Sequence, residues 1–180
     1  MKTFLSLIVL VALISVPVMA QDTPKAEVFG GYQYQYLGGD FATLNGGSGI
    51  NANGWDASVT GNINKHFGVT GDFSGVYKTI SGVSGHLYTY GGGPVVAVDF
   101  GGKINPFVHA IFGGFTFGAG GGGGSASTNG FMMKFGGGVD VAVNKVIAIR
   151  LAQVDWDYYR AQGTSEDKNV NLSAGIVFRF

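Results

Sequence analysis

The sequence predicts an all-β protein, an eight-stranded antiparallel up-and-down transmembrane β-barrel. Three observations lead to this prediction: about eight segments in which apolar and polar residues alternate with period two, connections that alternate between long and short, and a low charged content. Charged residues make up 12% of the chain. A soluble surface usually carries about 25–35% charged residues, so the composition favours a barrel whose outer surface contacts lipid.

The alternating segments follow one another along the chain. In the first of them, Tyr32, Tyr34 and Tyr36 alternate with Gln33 and Gln35. This pattern predicts strands over residues 28–36, 55–64, 67–78, 86–100, 131–144 and 170–180. Two more strands, over 106–117 and 146–159, are less regular, and because the first is apolar on both rows its inward or outward facing stays open.

Long and short connections alternate between these strands. The long connections are predicted over residues 38–54, 79–85, 118–130 and 160–169, and the short ones over 64–66, 101–105 and 144–145. Bacterial membrane barrels have long extracellular loops and short periplasmic turns. The rhythm therefore predicts that both mature termini are periplasmic.

The polar row carries a few charges of both signs, which we expect to pair across a narrow lumen. The candidate lumen ion-pair residues are Asp56, Asp72, Lys134, Asp140, Arg150 and Arg179. Arg150 stands between Ile149 and Leu151, so it is expected to face Asp140 or Asp72. The alternation changes parity near Gln153, which predicts a β-bulge there.

Two hypotheses concern the function of such a lumen, and a third concerns the class of barrel. An eight-stranded barrel is only just wide enough for side chains to fill, so the charges are expected to form a structural plug, with a narrow pore for ions or small solutes as the alternative. A second alternative is a soluble periplasmic lipocalin-like binder with the apolar row facing inward.

Aromatic residues near strand ends favour a membrane barrel with aromatic belts at the lipid interfaces over this soluble alternative. The candidate interface aromatics are Tyr32, Tyr34, Tyr36, Trp55, Tyr88, Tyr90, Trp156 and Tyr158.

The motifs of catalysis, cofactor binding and metal binding are not found in the sequence, so no enzyme is predicted. The glycine run at 118–125 lacks the Lys-Ser/Thr of a phosphate loop and is expected to be a flexible loop. His66, His86 and His109 have no metal-ligand spacing, and His109 is expected to form hydrogen bonds in the lumen. A formal net charge of +0 gives no reason to expect nucleic acid as a partner.

The N-terminus has the form of a secretory signal peptide. A basic start is followed by an apolar run over residues 4–16 and by small residues at 18–20. We expect a signal peptide over residues 1–20, a short periplasmic segment over 21–25 and a barrel domain over 26–180. The chain has 0 Cys, which excludes a lipoprotein.

Four motifs resemble those of the OmpA/OmpX-type small outer-membrane β-barrels, the stand-alone kind without a peptidoglycan-binding domain. They are Gly-Gly-Gly-Pro at 91–94, Pro-Phe-Val-His-Ala at 106–110, Phe-Gly-Gly-Gly-Val-Asp at 135–140 and Gly-Ile-Val-Phe-Arg-Phe at 175–180. The resemblance implies a place in the bacterial outer membrane, contact with its lipid, and a barrel-insertion signal formed by Phe178 and Phe180 and read by the insertion machinery. It also implies a non-enzymatic monomer with a role in envelope integrity or adhesion. The resemblance names no ligand for the extracellular loops.

Overall fold

The computed structural model describes residues 24–80, 82–98, 102–121 and 124–180. Its strands close into one antiparallel barrel in which each strand pairs with its sequence neighbours and β1 pairs with β8. The strands are β1 (Ala26–Leu37), β2 (Ile50–Asn62), β3 (Phe67–Ile80), β4 (Val83–Ala97), β5 (Ile104–Gly121), β6 (Gly124–Ala142), β7 (Ile147–Ala161) and β8 (Thr164–Arg179). The predicted eight-stranded barrel is confirmed. The predicted signal peptide lies outside the described residues.

The barrel has two distinct ends, which we call terminal and distal. At the terminal end the start of β1 meets the end of β8, and the amide of Lys25 donates a hydrogen bond to the main-chain oxygen of Phe180 over 2.6 Å. At the distal end a 3₁₀ helix, Gly39–Asn45, connects β1 to β2. Among the described residues, no helix is long and apolar enough to cross a membrane.

The apolar row of each strand faces outward and the polar row faces the lumen. Val59, Phe73 and Leu151 are 53–60% exposed on the outer surface, whereas Gln33 and Asp72 on the opposite row are buried. Since a lipocalin-like barrel requires the reverse, that alternative is wrong.

The facing of β5, which the sequence left open, is now determined. Phe107, Ile111 and Phe115 are buried in the lumen, and Val108 and Phe112 are exposed on the outer surface. Both rows are apolar because β5 contributes to the lipid-facing surface and to an apolar layer inside the barrel.

Two of the predicted long connections, 79–85 and 118–130, are wrong, because the strands extend into them. β3 ends at Ile80 and β4 begins at Val83; β5 and β6 pair as far as Gly121 and Gly124, inside the predicted flexible loop. The predicted connection 38–54 is present but shorter, because β2 already begins at Ile50. Glycine and serine have low strand propensity, but backbone pairing with a neighbouring strand overrides it.

The predicted polar loop over residues 160–169 is also a strand hairpin. β7 runs to Ala161 and β8 begins at Thr164. Gln162 and Gly163 have positive φ values of 50° and 86°. Two consecutive positive φ values are typical of a type I′ turn, whose twist matches that of the flanking strands. The turn therefore allows the hairpin to be tight.

The predicted β-bulge near Gln153 is confirmed. Arg150 of β7 pairs with Gly175 of β8, and Gln153 of β7 pairs with Ser173 of β8. Between these two pairs β7 has two residues and β8 has one, so β7 contains one extra residue. Leu151 and Ala152 both lie exposed on the outer surface. The extra residue shifts the side-chain alternation so that polar residues face the lumen on both sides of the bulge.

A second register shift lies in β8 and was not predicted. Asp157 pairs with Asn169 and Tyr159 pairs with Glu166, so β8 here contains the extra residue. Asp167 and Lys168 are both exposed. The shift turns Glu166 toward the mouth of the barrel at the distal end.

Candidate functional site

The lumen contains the six charged side chains that the sequence predicts there. It is divided into three layers: a terminal vestibule, a charged centre and a distal apolar layer. The β7 bulge decides which residues of β7 enter the first two layers. On the terminal side of the bulge, Ala148 and Arg150 point inward, and on the distal side Gln153, Asp155 and Asp157 point inward. An unbulged strand would direct one of these groups toward lipid.

Arg150 and Asp140 pair between the terminal vestibule and the centre. Asp140 accepts from Nε and Nη2 of Arg150 over 2.8 and 3.1 Å, in a bidentate arrangement. The guanidinium also lies 4.3 Å from the ring centroid of Phe29 and 4.2 Å from that of Phe107. A guanidinium suits this place because it pairs in its plane and stacks on its faces. The stacking on two rings was not predicted.

Arg179 lies in the wall of the terminal vestibule. Its Nε is 3.0 Å from Oε1 of Glu27, close enough for an ion pair although the angle is not that of a hydrogen bond. The vestibule is a cavity of about 270 Å³ with polar side chains from most strands, Arg150 and Asp140 among them. The polar lining and the volume fit a water-filled space.

The centre of the lumen is organised around Lys134. Its Nζ donates to Oδ1 of Asp72 over 2.7 Å, and the lysine is 0% exposed. Asp56 is joined to this layer through Oδ2, which accepts from Ser173 over 2.9 Å and from Gln153 at 3.5 Å. Buried charges in such a layer are stable only when they are paired or hydrogen-bonded.

Sequence reasoning missed two further carboxylates at this level, Asp155 and Asp157, although their alternation beyond the bulge was visible. His109 Nε2 lies 2.7 Å from Oδ1 of Asp155, so His109 has the expected lumen hydrogen bond. Oδ2 of Asp157 accepts from the Gln35 amide over 2.7 Å and from the Tyr159 hydroxyl over 3.1 Å. The network thus joins β1, β5 and β7.

The network leaves several buried polar atoms without a partner among the described residues. They include Gln33 Oε1, Asp56 Oδ1, Asp157 Oδ1 and both amide atoms of Asn171. Buried polar groups of this kind are normally satisfied by ordered water. These atoms belong to residues of β7, β8, β1 and β2, so the polar groups that need water lie on that side of the lumen.

The distal layer of the lumen is apolar and lies above the charged centre. Leu87, Ile111 and Met132 are only 0–2% exposed. The full buried cluster comprises Leu37, Ile50, Ala52, Val76, Leu87, Ile111, Phe115, Met132 and Tyr159. Phe41 of the 3₁₀ helix packs on this cluster from the distal side. The ion pairs of the centre are thus accompanied by a layer of packed apolar side chains.

The outer aromatics lie on the lipid-facing surface. Tyr32, Tyr34, Tyr36, Trp55, Tyr88, Tyr90 and Trp156 are 37–58% exposed, and Tyr158 is half-buried. Trp55 and Tyr88 are linked through the hydroxyl of Tyr77. Trp55 Nε1 donates a hydrogen bond to this hydroxyl over 3.3 Å, and the hydroxyl donates to the Tyr88 hydroxyl over 3.1 Å. Amphipathic rings arranged in this way suit the boundary between lipid and water.

Phe178 and Phe180 also face outward, at the terminal end. Phe178 is 43% and Phe180 68% exposed. The amide of Phe180 donates to the carbonyl of Ala26 over 2.8 Å, so the last residue is held in the barrel wall.

In the part of the chain that the structure describes, no group of three His, Cys, Asp or Glu side chains could hold a metal ion.

The barrel is similar to solved structures of small bacterial outer-membrane proteins. It matches the Neisserial surface protein A (NspA) with a TM-score of 0.73 at 17% identity, over 87% of this chain and 97% of that one. It matches Ail, the attachment invasion locus protein of Yersinia pestis, with a TM-score of 0.63 at 16% identity, over 88% and 99% of the two chains. The N-terminal β-barrel domain of Pseudomonas aeruginosa OprF gives a TM-score of 0.58 at 12% identity, over 87% and 98%.

At these identities the similarity establishes the fold alone, and no curated protein sequence matches the chain. The family is established by sequence. The model of the outer membrane protein beta-barrel domain matches residues 6–180. The apolar outer wall, the polar lumen and this match agree, and the chain belongs to the outer-membrane β-barrel domain family of bacteria.

Proposed function

We propose that the protein is a non-enzymatic, monomeric outer-membrane barrel with an occluded lumen, whose roles are envelope integrity and interaction at the cell surface. The observation that carries this proposal is the apolar layer of Leu87, Ile111 and Met132, which lies across the lumen above the charged centre. Packed interiors have few voids larger than a water molecule, so such a layer blocks ion passage. The terminal vestibule is then a blind pocket.

The purified barrel in planar lipid bilayers tests the occluded lumen. We expect no steady single-channel conductance, because an ion would have to displace packed side chains that are 0–2% exposed. A general porin reconstituted in parallel serves as the positive control. Steady unitary currents would contradict the proposal and favour the narrow-pore alternative.

We further propose that both termini are periplasmic and that the distal end faces the outside. Support comes from the distal parts of β5 and β6, where residues 118–121 and 124–130 are glycine, alanine, serine, threonine and asparagine. This polar, uncharged hairpin is unsuited to lipid. At the terminal end, by contrast, the apolar side chains of Val146, Phe178 and Phe180 are exposed close to the β6–β7 turn and the end of β8.

Cysteine labelling tests this orientation, since the chain has 0 Cys and each variant is free of background. We expect a membrane-impermeant maleimide to label the Ser127→Cys variant in intact cells. The Lys145→Cys variant, in the exposed turn between β6 and β7, should react only after the outer membrane is permeabilised. The opposite pattern would reverse the orientation.

Phe178 and Phe180 are proposed as the signal for the barrel-insertion machinery. Their outward position at the end of β8 leaves both rings accessible. Replacing Phe180 with Ala should lower the amount of barrel assembled in cells and leave refolding in detergent unchanged. Equal loss in both settings would indicate a purely structural role.

One solved structure of the same fold supports the proposed surface role. Ail has also been crystallised in complex with the heparin analogue sucrose octasulfate, so a barrel of this size can bind a partner. The distal mouth of the present chain carries Asp40 and Glu166, which would repel a sulfated ligand. We therefore expect a ligand of different charge here.

A further inference from the structure

A cavity lies at the distal mouth between the 3₁₀ helix and the inner faces of β5, β6, β7 and β8. Its volume is about 220 Å³. Its floor is formed by two members of the apolar layer, Phe115 and Tyr159. The residues that decide its chemistry are four aromatics, Phe41, Phe115, Phe117 and Tyr159, and two carboxylates, Asp40 and Glu166.

The four aromatic rings form adjoining walls of this cavity. Phe41 packs edge-to-face against Phe117, with centroids 5.8 Å apart, and against Tyr159 at 6.1 Å. Phe115 packs against Tyr159 at 5.1 Å, again edge-to-face. The face of an aromatic ring is electron-rich and attracts cations, and cages of such rings bind quaternary ammonium groups.

Two carboxylates stand at the mouth of the aromatic cage. Glu166 is there because of the second register shift, which turns it inward while Asp167 and Lys168 face outward. Its Oε2 accepts a hydrogen bond from the backbone amide of Asp40 over 3.0 Å. The bond holds the Glu166 carboxylate beside the 3₁₀ helix and near the Asp40 side chain.

The charges of the cavity are unbalanced. None of the described residues that line it is a lysine, arginine or histidine. An anion would be repelled by the two carboxylates, and a neutral apolar molecule would leave them without a counter-charge. A bare metal ion would gain little from aromatic walls, since hard cations prefer oxygen ligands.

We propose that this cavity binds a small organic ammonium ion, such as a quaternary or methylated amine. The apolar groups of such an ion would contact the partly exposed rings of Phe41 and Phe117, and its positive charge would face Asp40 and Glu166. The size is suitable, because an apolar cavity of about 150 Å³ holds benzene. This inference goes beyond the proposed surface role and depends on the proposed orientation only for access from outside the cell.

Titration calorimetry on the purified, refolded barrel tests the proposal in a detergent with an uncharged sugar headgroup. The probe is choline, and its neutral isostere 3,3-dimethylbutan-1-ol is the matched control. We expect saturable binding of choline that is about tenfold tighter than that of the isostere, given the strength of a desolvated cation–π contact. Equal affinity of the two would overturn cation recognition, and no choline binding would overturn the site.

Three variants locate the binding. Glu166→Gln and Phe41→Leu should each weaken choline binding several-fold, because the first removes a counter-charge and the second removes an aromatic wall but keeps an apolar one. Asp167→Asn, on the outer face of the same strand, should bind as the wild type does. All variants are first checked for the heat-dependent gel shift of a closed barrel. Wild-type affinity in the first two variants would contradict the proposed place.

Discussion

Replacing Lys134 with Met should destabilise the barrel by about 3–5 kcal/mol, the effect of removing one partner from a buried ion pair. Lys134 is 0% exposed and its Nζ pairs with Asp72 over 2.7 Å. The carboxylates of Asp155 and Asp157 face the same layer of the lumen. Methionine fills a similar volume, so the loss comes from leaving these carboxylates without their cation. The measurement is urea unfolding of the refolded barrel, followed by tryptophan fluorescence.

The matched control is Lys145→Met, in the exposed turn between β6 and β7, which should change stability by no more than about 0.5 kcal/mol. Adding Asp72→Asn to Lys134→Met should restore part of the loss, because one uncompensated charge is removed. If Lys134→Met unfolds at the wild-type urea concentration, the charged centre does not depend on this pair.

Deleting Leu151 should prevent the barrel from closing. The residue is the extra one of the β7 bulge, and without it the two halves of β7 share a single alternation. Either Arg150 or the acidic pair of Asp155 and Asp157 must then face lipid. An arginine at the bilayer midplane costs about 2–4 kcal/mol, to which the lost ion pair is added.

The control for the deletion is Leu151→Ala, which keeps the bulge and removes only a lipid-facing side chain that is 60% exposed. It should fold with a loss of about 1 kcal/mol or less. Both variants are refolded into detergent and assayed for the gel shift on heating. A deletion variant that folds and unfolds like the wild type would show that the bulge does not set the facing of β7.

Most of the barrel could be predicted from sequence because a membrane wall imposes a strict alternation on its strands. The Arg150–Asp140 pair was within reach for the same reason: the two residues flank the short turn at 144–145 and are adjacent across one hairpin. The bulge was visible as a parity change near Gln153. Each of these features depends on residues close to one another in the chain.

Other features depend on contacts across the lumen, which alternation does not encode. Lys134 and Asp72 are 62 residues apart and lie on β6 and β3, which are not neighbours in the sheet. The apolar layer left a sign, since Leu87 and Met132 interrupt otherwise small or polar rows. The layer itself becomes evident only when eight strands are closed. The distal strand extensions were missed because Gly- and Ser-rich sequence resembles a loop until its pairing partner is known.

The central claim is that this chain forms a closed barrel in the outer membrane with its apolar row toward lipid. The most direct test is to fractionate cells that produce the protein and to run the outer-membrane fraction on SDS gels with and without boiling. The structure predicts a band in that fraction that changes mobility on heating, because the closed sheet resists detergent until it is unfolded. Protein recovered in the soluble periplasmic fraction, with no change on heating, would contradict the claim.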